Sequence, residues 1–260
     1  MAVHETEALT LRNYGLADAD KIVVFLTRGF GVIKCVAKGA KKLNSRYGST
    51  LEPFTKVDLT FFLKDNRDLA SIREIELRHS LFETSTTPEV LKTLYYFSRL
   101  LVEFVPPNEQ SEKMYRMVSV CAEAISEKPE KLDQITLYFE TWLLRLAGFM
   151  PDWSKCAVCE KRFGENDAAV LDAAFHLSHL SCQPYRKEPR VSAEQRLVMA
   201  RIQTLPPRDF LTAIENIYKG DIPGLSIHLQ GLISHVLGKD IENTKYVLPE
   251  ELIREAANTR

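Results

Sequence analysis

Two short stretches have the residue types and spacing to hold a metal: Cys156-Ala-Val-Cys159 and, after nineteen intervening residues, His179-Leu-Ser-Cys182. Each pair sets two donors three positions apart, as a tight turn can present them to one ion. Two such hooks facing each other complete a Cys₃His tetrahedron, the donor set of a structural zinc (Zn²⁺) site with no open position for chemistry. His176 is the rival fourth ligand, but only His179 leaves the two-residue gap to Cys182 that a knuckle needs. The competing reading is a redox CxxC, or cysteines placed there without a metal. The spacing is that of a zinc ribbon, whose hairpin would include Val170-Leu-Asp-Ala-Ala-Phe175. Arg186, Lys187 and Arg190 follow, as an extension of a positive surface or as a solvated linker.

A second concentration of chemistry is electrostatic. From Arg28 to Lys56 the chain carries Arg28, Lys34, Lys38, Lys41, Lys42, Arg46 and Lys56 against one acid, Glu52. The net charge of the 260 residues is −1, yet residues 1–64 hold ten Lys/Arg and six Asp/Glu. A positive front end on a mildly acidic body suits an anionic partner, the alternative being a solvated loop. Phe30, between Gly29 and Gly31, either stacks on a base or packs on its own domain.

Signatures of catalysis are missing from the sequence. It contains no GxxxxGK[ST], HExxH or GxSxG pattern, and Gly29, Gly31 and Gly39 do not form GxGxxG. Asp18 and Asp20 read as turn formers rather than an acid/base couple. Cys35 and Cys121 read as small buried hydrophobes. His228 and His235, seven apart, are too far for a two-ligand hook, and His79 carries no signal. The chain is expected not to be an enzyme.

These residues need scaffolding. Glu7–Arg12, Lys21–Leu26, Val32–Ala37, Val57–Leu63 and Leu69–Leu77 are short, partly alternating segments, and they predict five strands. Turn signals separate them at Asn13–Gly15, Ala17–Asp20, Arg28–Gly31 and Lys64–Arg67. Five short strands with a long third connection suggest an OB-fold barrel, a fold often used for single strands. After Thr84–Pro88 the period becomes helical: one helix through Leu91–Val105, ended by Pro106-Pro107, a second over Glu109–Ser126 and a third over Leu132–Ala147. The third carries a stripe of Leu132, Ile135, Phe139, Trp142, Leu143 and Leu146, read as bundle core, with Gly148 as its stop. Helices resume at Ala193–Thr204, Asp209–Tyr218 and Leu225–Lys239, separated by Pro206-Pro207 and Pro223-Gly224.

The expected class is therefore α+β and multidomain: an N-terminal five-stranded OB-fold barrel, then an α-helical domain with an inserted zinc-ribbon-like segment. The boundaries read as 1–82 for the barrel, 83–150 and 191–245 for the two parts of the helical domain, 151–190 for the insertion, and 246–260 for an exposed tail. The N-terminal stretch lacks the pattern of a secretory signal, and no apolar run is long enough to span a membrane. Three of the five cysteines fall between Cys156 and Cys182, which suits metal binding in a reducing compartment. A cytoplasmic location without membrane contact is expected.

Glu7-Ala-Leu-Thr-Leu-Arg-Asn-Tyr-Gly15, Phe25-Leu-Thr-Arg-Gly-Phe-Gly31, Val36-Ala-Lys-Gly-Ala-Lys-Lys42, Ser45-Arg-Tyr-Gly48 and Leu51-Glu-Pro-Phe54 together resemble the opening of the RecO family of bacterial recombination mediators and DNA repair proteins. The resemblance covers nearly the whole chain, is closest over residues 5–60 and is diffuse after 190. It implies an OB-fold that binds single- and double-stranded DNA, a following helical domain and, in some members, a four-cysteine zinc ribbon. It further implies strand annealing and, with RecR, loading of RecA onto DNA coated by single-strand binding protein (SSB), in the manner of the RecF pathway. An SSB-tail pocket would lie among the helices, with no motif to assign its residues. On that basis Arg28, Lys34, Lys38, Lys41, Lys42 and Arg46 become the candidate DNA-binding residues. Two departures stand out: His179 replaces the usual cysteine, and Gly15-Leu-Ala-Asp-Ala-Asp20 differs from the family's turn. The other readings are a protein-interaction scaffold and an RNA-binding module.

Overall fold

The computed structural model describes residues 2–16, 19–64, 69–81, 87–107, 109–172, 174–185, 190–217 and 222–240. Several sequence expectations lie wholly or partly outside them: the turns at Ala17-Asp18 and Asp65–Arg67, the segment Thr84–Thr86, the cations Arg186 and Lys187, Tyr218 and the tail 246–260. The described residues fall into two compact units, 2–129 and 130–240.

In the first unit, β1 (Ala2–Leu16), β2 (Asp20–Thr27), β3 (Gly31–Ala37), β4 (Lys56–Leu63) and β5 (Leu69–His79) close a barrel in the order β1-β2-β3-β5-β4. β1 is long enough to serve two neighbours. Ala2–Leu9 pair with β4, Ala8–Leu16 pair with β2, and a bulge between Thr10 and Arg12 bends the strand between them. Closure is completed by a parallel pairing of β3 with β5, Lys34 opposite Leu69. The expected five-stranded OB-type barrel is present.

Its interior holds Ala8, Val23, Phe25, Ile33, Cys35, Val57, Leu59, Phe61, Ala70 and Ile72, joined by Tyr47 and Leu51 from the long third connection. β2 shows no alternation of exposure, because Ile22 through Thr27 are all buried. One face of β2 looks into the barrel, and its other face contributes to a second buried layer. Two helices, α1 (Pro88–Phe104) and α2 (Glu112–Glu127), contact the barrel through β1, and α2 also touches β2. Thr87 caps α1 by accepting from Val90 N, with Pro88 at the first helical position. Across the barrel wall, Phe54 meets Phe97 of α1 edge to face, 6.5 Å between ring centres.

The second unit is organised on α3 (Leu132–Leu146), which contacts α4 (Ala193–Thr204), α5 (Pro207–Ile217) and α6 (Ile222–Leu237). The aromatic stripe read as bundle core behaves as such. Phe139 is fully buried, Trp142 Nε1 donates to Ile202 O at 2.9 Å, and Tyr138 OH donates to Leu205 O at 3.1 Å. Glu140, also fully buried, accepts from Ser226 Oγ at 2.5 Å and Gln230 Nε2 at 3.0 Å, so its carboxylate ties α3 to α6. Ser192 and Gln195 form a capping box at the start of α4. Pro223-Gly224, expected to separate two helices, instead lies in the first turn of α6. A first-turn proline loses no intrahelical hydrogen bond, because its N–H has no partner there in any case. Between α3 and α4 a small sheet is built from β6 (Ala169–Leu171), β7 (Leu177–His179) and β8 (Arg190–Val191), in the order β7-β6-β8. No helix among the described residues is long and apolar enough to cross a membrane.

Gly31 joins the barrel to the segment after α1. Its φ is +62°, and a Cβ at this position would sit 2.1 Å from Pro106 O. Gly31→Ala is expected to cost about 2–4 kcal/mol, from left-handed backbone strain of about 1 kcal/mol plus overpacking against backbone. Urea denaturation followed by circular dichroism reads this, and an unaltered transition would contradict the assignment.

Candidate metal centre and nucleic-acid interface

The metal candidate is assembled by two turns. In the first, Glu160 N donates to Cys156 O at 2.9 Å and Cys156 N to Lys161 O at 2.9 Å; Glu160 takes the left-handed conformation, φ 59°, that lets the chain reverse. In the second, Cys182 N and Gln183 N both donate to His179 O, at 3.0 and 3.3 Å. The short pairing of β6 with β7, Ala169 opposite His179, and the bond from Ala157 N to Leu177 O at 2.8 Å bring the turns face to face.

The result is one cluster. The ligating atoms of Cys156, Cys159, His179 and Cys182 all lie within 4.8 Å of one another. A tetrahedral zinc with Zn–S bonds of about 2.3 Å needs donors roughly 3.8 Å apart, so small side-chain rotations bring this set to a metal. His176 is not part of the cluster; its Nδ1 lies 3.6 Å from Asp172 Oδ1 instead.

The donor chemistry suits a cation. Burial pushes the Cys156 thiol up, but backbone N–H groups of Cys159, His179 and Val158 stabilise its thiolate, and the balance brings it down to about 6. The Cys182 thiol is raised, by burial first and then by its contacts with Cys159 and Cys156. His179 Nδ1 faces Cys159 Sγ at 3.4 Å, and its other nitrogen, Nε2, lies 3.5 Å from Asp167 Oδ2. No spacing rule pointed to Asp167; the sequence offered only an acidic residue within the hairpin segment. By contrast Cys35 and Cys121 are fully buried and join no such cluster among the described residues, and burial pushes both thiols well up.

The basic stretch lies on the barrel in the connection from β3 to β4. Asp20 Oδ1 accepts from Gly39 N at 2.8 Å, Lys41 N donates to Ala19 O at 2.9 Å, and Gly39 turns at φ +73°. Asp20, expected as a turn former, is instead the first residue of β2, and this bond pins the basic loop there. Beyond the loop, Tyr47 is buried in the barrel core, and Asn13 Nδ2 donates to Leu51 O at 2.9 Å. Phe54, at φ 57°, returns the chain to β1 through Thr10. Lys38, Lys41, Lys42 and Arg46 are therefore carried, exposed, on a connection fixed at both ends.

The six candidate cations are not equivalent. Arg28 pairs with Glu112 Oε1 at 2.6 Å and Glu7 Oε2 at 3.5 Å, and these contacts raise its pKa, Glu112 first. Lys34 is half-buried within β3. Arg46 lies over the Tyr47 ring, 5.0 Å to its centre, and donates to Ile72 O at 3.3 Å. Lys38 and Lys42 enter no ion pair among the described residues. Phe30 packs against His4 and Phe61, at 4.8 and 5.4 Å between ring centres. Of its two readings, packing on its own barrel is the one the structure shows.

Known proteins resemble this sequence along most of its length. The family model "Recombination protein O N terminal" matches residues 1–81 and "Recombination protein O C terminal" matches residues 87–210. The DNA repair protein RecO of Bifidobacterium animalis subsp. lactis is 30% identical over 176 residues, covering 67% of this chain and 71% of that one. That of Syntrophus aciditrophicus is 27% identical over 255 residues, 94% and 95% of the two chains. With the protein of Koribacter versatilis the identity is 30% over 156 residues, 60% of this chain, and the match spans 63% of the relative, under two thirds of its length. The two family models meet between the end of β5 and the start of α1, and on these matches the chain belongs to the RecO family of DNA repair proteins.

Proposed function

We propose that the chain is a non-enzymatic recombination mediator that binds single- and double-stranded DNA through its barrel, anneals complementary strands and, with RecR, assists RecA loading on SSB-coated single strands. The observation that carries this reading is the clamped loop of exposed cations, Lys38, Lys41, Lys42 and Arg46, on a closed OB-type barrel. Lys34 borders that surface, whereas Arg28 is paired with Glu112 of α2 and with Glu7. Bringing two polyanions together requires cations that offset phosphate repulsion, and release of counterions supplies affinity without sequence preference. No bond need be made or broken by the protein. Such a mediator works in the cytoplasm, at the nucleoid when bound to DNA, and takes the SSB tail as a further partner.

We also propose that Cys156, Cys159, His179 and Cys182 hold a structural Zn²⁺. With all four positions filled by protein, the ion would supply a crosslink between the two turns rather than a reaction centre.

In an anisotropy titration with a labelled single strand, replacing Lys38, Lys41 and Lys42 by Ala is expected to make the slope of log K against log salt shallower by about 2, at about 0.7 per phosphate contact. The same variant should anneal complementary strands, bare or SSB-coated, more slowly than the parent. An unchanged slope would remove these lysines from the interface.

Elemental analysis of purified protein separates the two histidines. His179→Ala is expected to lose zinc, and His176→Ala to retain it at the parental stoichiometry. Equal zinc in the parent and His179→Ala would contradict the ligand set.

A further inference from the structure

Leu43 is the tip of the basic loop, and its relative exposure is 102%, that of a side chain touching nothing. It is a central residue of a turn closed by Ser45 N donating to Lys42 O at 3.0 Å. Turns of this kind favour Gly, Asn, Asp or Ser; a leucine there contributes nothing to the turn and leaves its whole apolar surface in water. Exposed Lys41, Lys42 and Asn44 flank it, with Arg46 beyond. The loop beneath is held by Asp20 and by the backbone of Ala19, so the tip is presented on a fixed base.

We propose that Leu43 is a wedge that inserts between bases of a strand whose phosphates the neighbouring cations hold. The inference rests on the DNA-binding reading and adds to it how the loop unstacks a strand. Cations beside an apolar point match a polyanion with apolar faces between its charges, and wedges of leucine and similar residues unstack base steps in this way. An anionic membrane shares part of that chemistry, but one leucine gives too little buried area for anchoring. Unstacking serves annealing, because bases must leave their own stacks before pairing with a complement.

The test uses the full chain and a single strand containing 2-aminopurine, whose emission rises on unstacking. Wild type is expected to raise the emission. Leu43→Ala should abolish most of that rise and weaken binding about tenfold, the value of burying one leucine side chain, with an unchanged salt slope since every cation remains. Equal emission change and affinity in Leu43→Ala would overturn the wedge while leaving DNA binding intact. Failure of wild type to bind the strand would overturn both readings. Binding to phosphatidylserine vesicles that Leu43→Ala abolishes, with strand binding unchanged, would assign the residue to a membrane and overturn the proposal.

In the ribbon, on contacts independent of the loop, we infer that Asp167 is a positioning residue for His179. A thiolate offers lone pairs in several directions, but an imidazole ligates only if its tautomer and ring plane are fixed. Asp167 Oδ2 accepts from Gly164 N at 2.7 Å and faces His179 Nε2 at 3.5 Å, which favours the proton on Nε2 and leaves Nδ1 to the cluster. Phe163 packs on the imidazole at 4.5 Å between ring centres. Arg196 covers Phe163 at 4.6 Å and donates to Asp167 O at 2.6 Å and Gly164 O at 2.8 Å, holding the whole support in place. A histidine in this ribbon therefore comes with the carboxylate and ring that orient it.

This inference rests on the zinc reading. In a competition between the full chain and a chromophoric zinc chelator, Asp167→Asn is expected to bind zinc about 10–100-fold more weakly than wild type. The amide keeps one oxygen where Oδ2 meets both Gly164 N and His179 Nε2, so the turn is preserved and what is lost is the carboxylate charge beside the imidazole. Unaltered zinc affinity would overturn the role of Asp167, whereas a wild-type chain that takes no zinc from the chelator would overturn the zinc site itself.

Discussion

The first unit depends on one constraint: β1 must satisfy backbone hydrogen bonds on two sides with two different partners. A flat sheet of five strands would leave two edges open, and closure removes them. β1 manages this by passing from β4 to β2 at Ala8–Leu9 and bulging at Thr10–Arg12. At the bulge, Thr10 has partners for both its backbone N–H and its hydroxyl. Thr10 N donates to Thr55 O at 3.0 Å, and Thr10 Oγ1 donates to Thr50 O at 2.7 Å. The segment that fills the bulge is the far end of the long β3–β4 connection. Closing the barrel and fixing the basic loop are therefore one event, and the parallel β3–β5 pairing forces the connection between them to be long.

The same geometry sorts the charges. On one side of the barrel, Asp58, Arg78, Glu7, Arg28 and Glu112 alternate in sign: Arg78 meets Asp58 and Glu7 at 2.6 Å each, and Arg28 meets Glu7 and Glu112. Lys56 lies 3.6 Å from Glu123. These exposed pairs are screened and individually modest, so their consequence is directional more than energetic. They neutralise the cations that face α2. The positive balance of the front end is then concentrated on the loop, where acidic neighbours are few and Asp20 is engaged with Gly39 N.

How much of this was legible follows from which interactions are local. Alternation along β4 and helical periodicity along α3 are written in neighbouring residues, and both elements could be read directly. The full length of β1 could not, because Ala2–Thr6 become a strand only through pairing with β4. Phe30 shows the limit from another side: a glycine-flanked aromatic has the same sequence signature whether it faces solvent or, as here, His4 and Phe61. Pro223-Gly224 looked like a break because a proline between two helical patterns fits either the gap or the first turn of the second helix, and here it lies in that turn. In the ribbon-like segment, hook spacing picked out the four residues that cluster, since the shape of a turn is a local property. Asp167 is a contact across the hairpin and left no periodic trace.

The ribbon's own stability explains why its donors need such close support. β6 and β7 have three residues each and β8 two, fewer than an independent sheet requires. Trp153 Nε1 donates to Phe175 O at 2.9 Å, and Phe175 in turn packs where a side chain at Gly231 of α6 would intrude at 3.1 Å. The hairpin is thus anchored to the helices at its turn, while the two donor turns lie at its other end. Cys156 Sγ is there held by N–H groups of Val158 and His179, both at 3.4 Å, before any ion is considered. An ion joining the turns would add to the hold that Arg196 of α4 has on that end, and its free energy of binding would be free energy of folding there. Replacing one thiolate by an imidazole makes that contribution depend on ring orientation. The Asp167–Phe163–Arg196 support is the structural counterpart of that dependence.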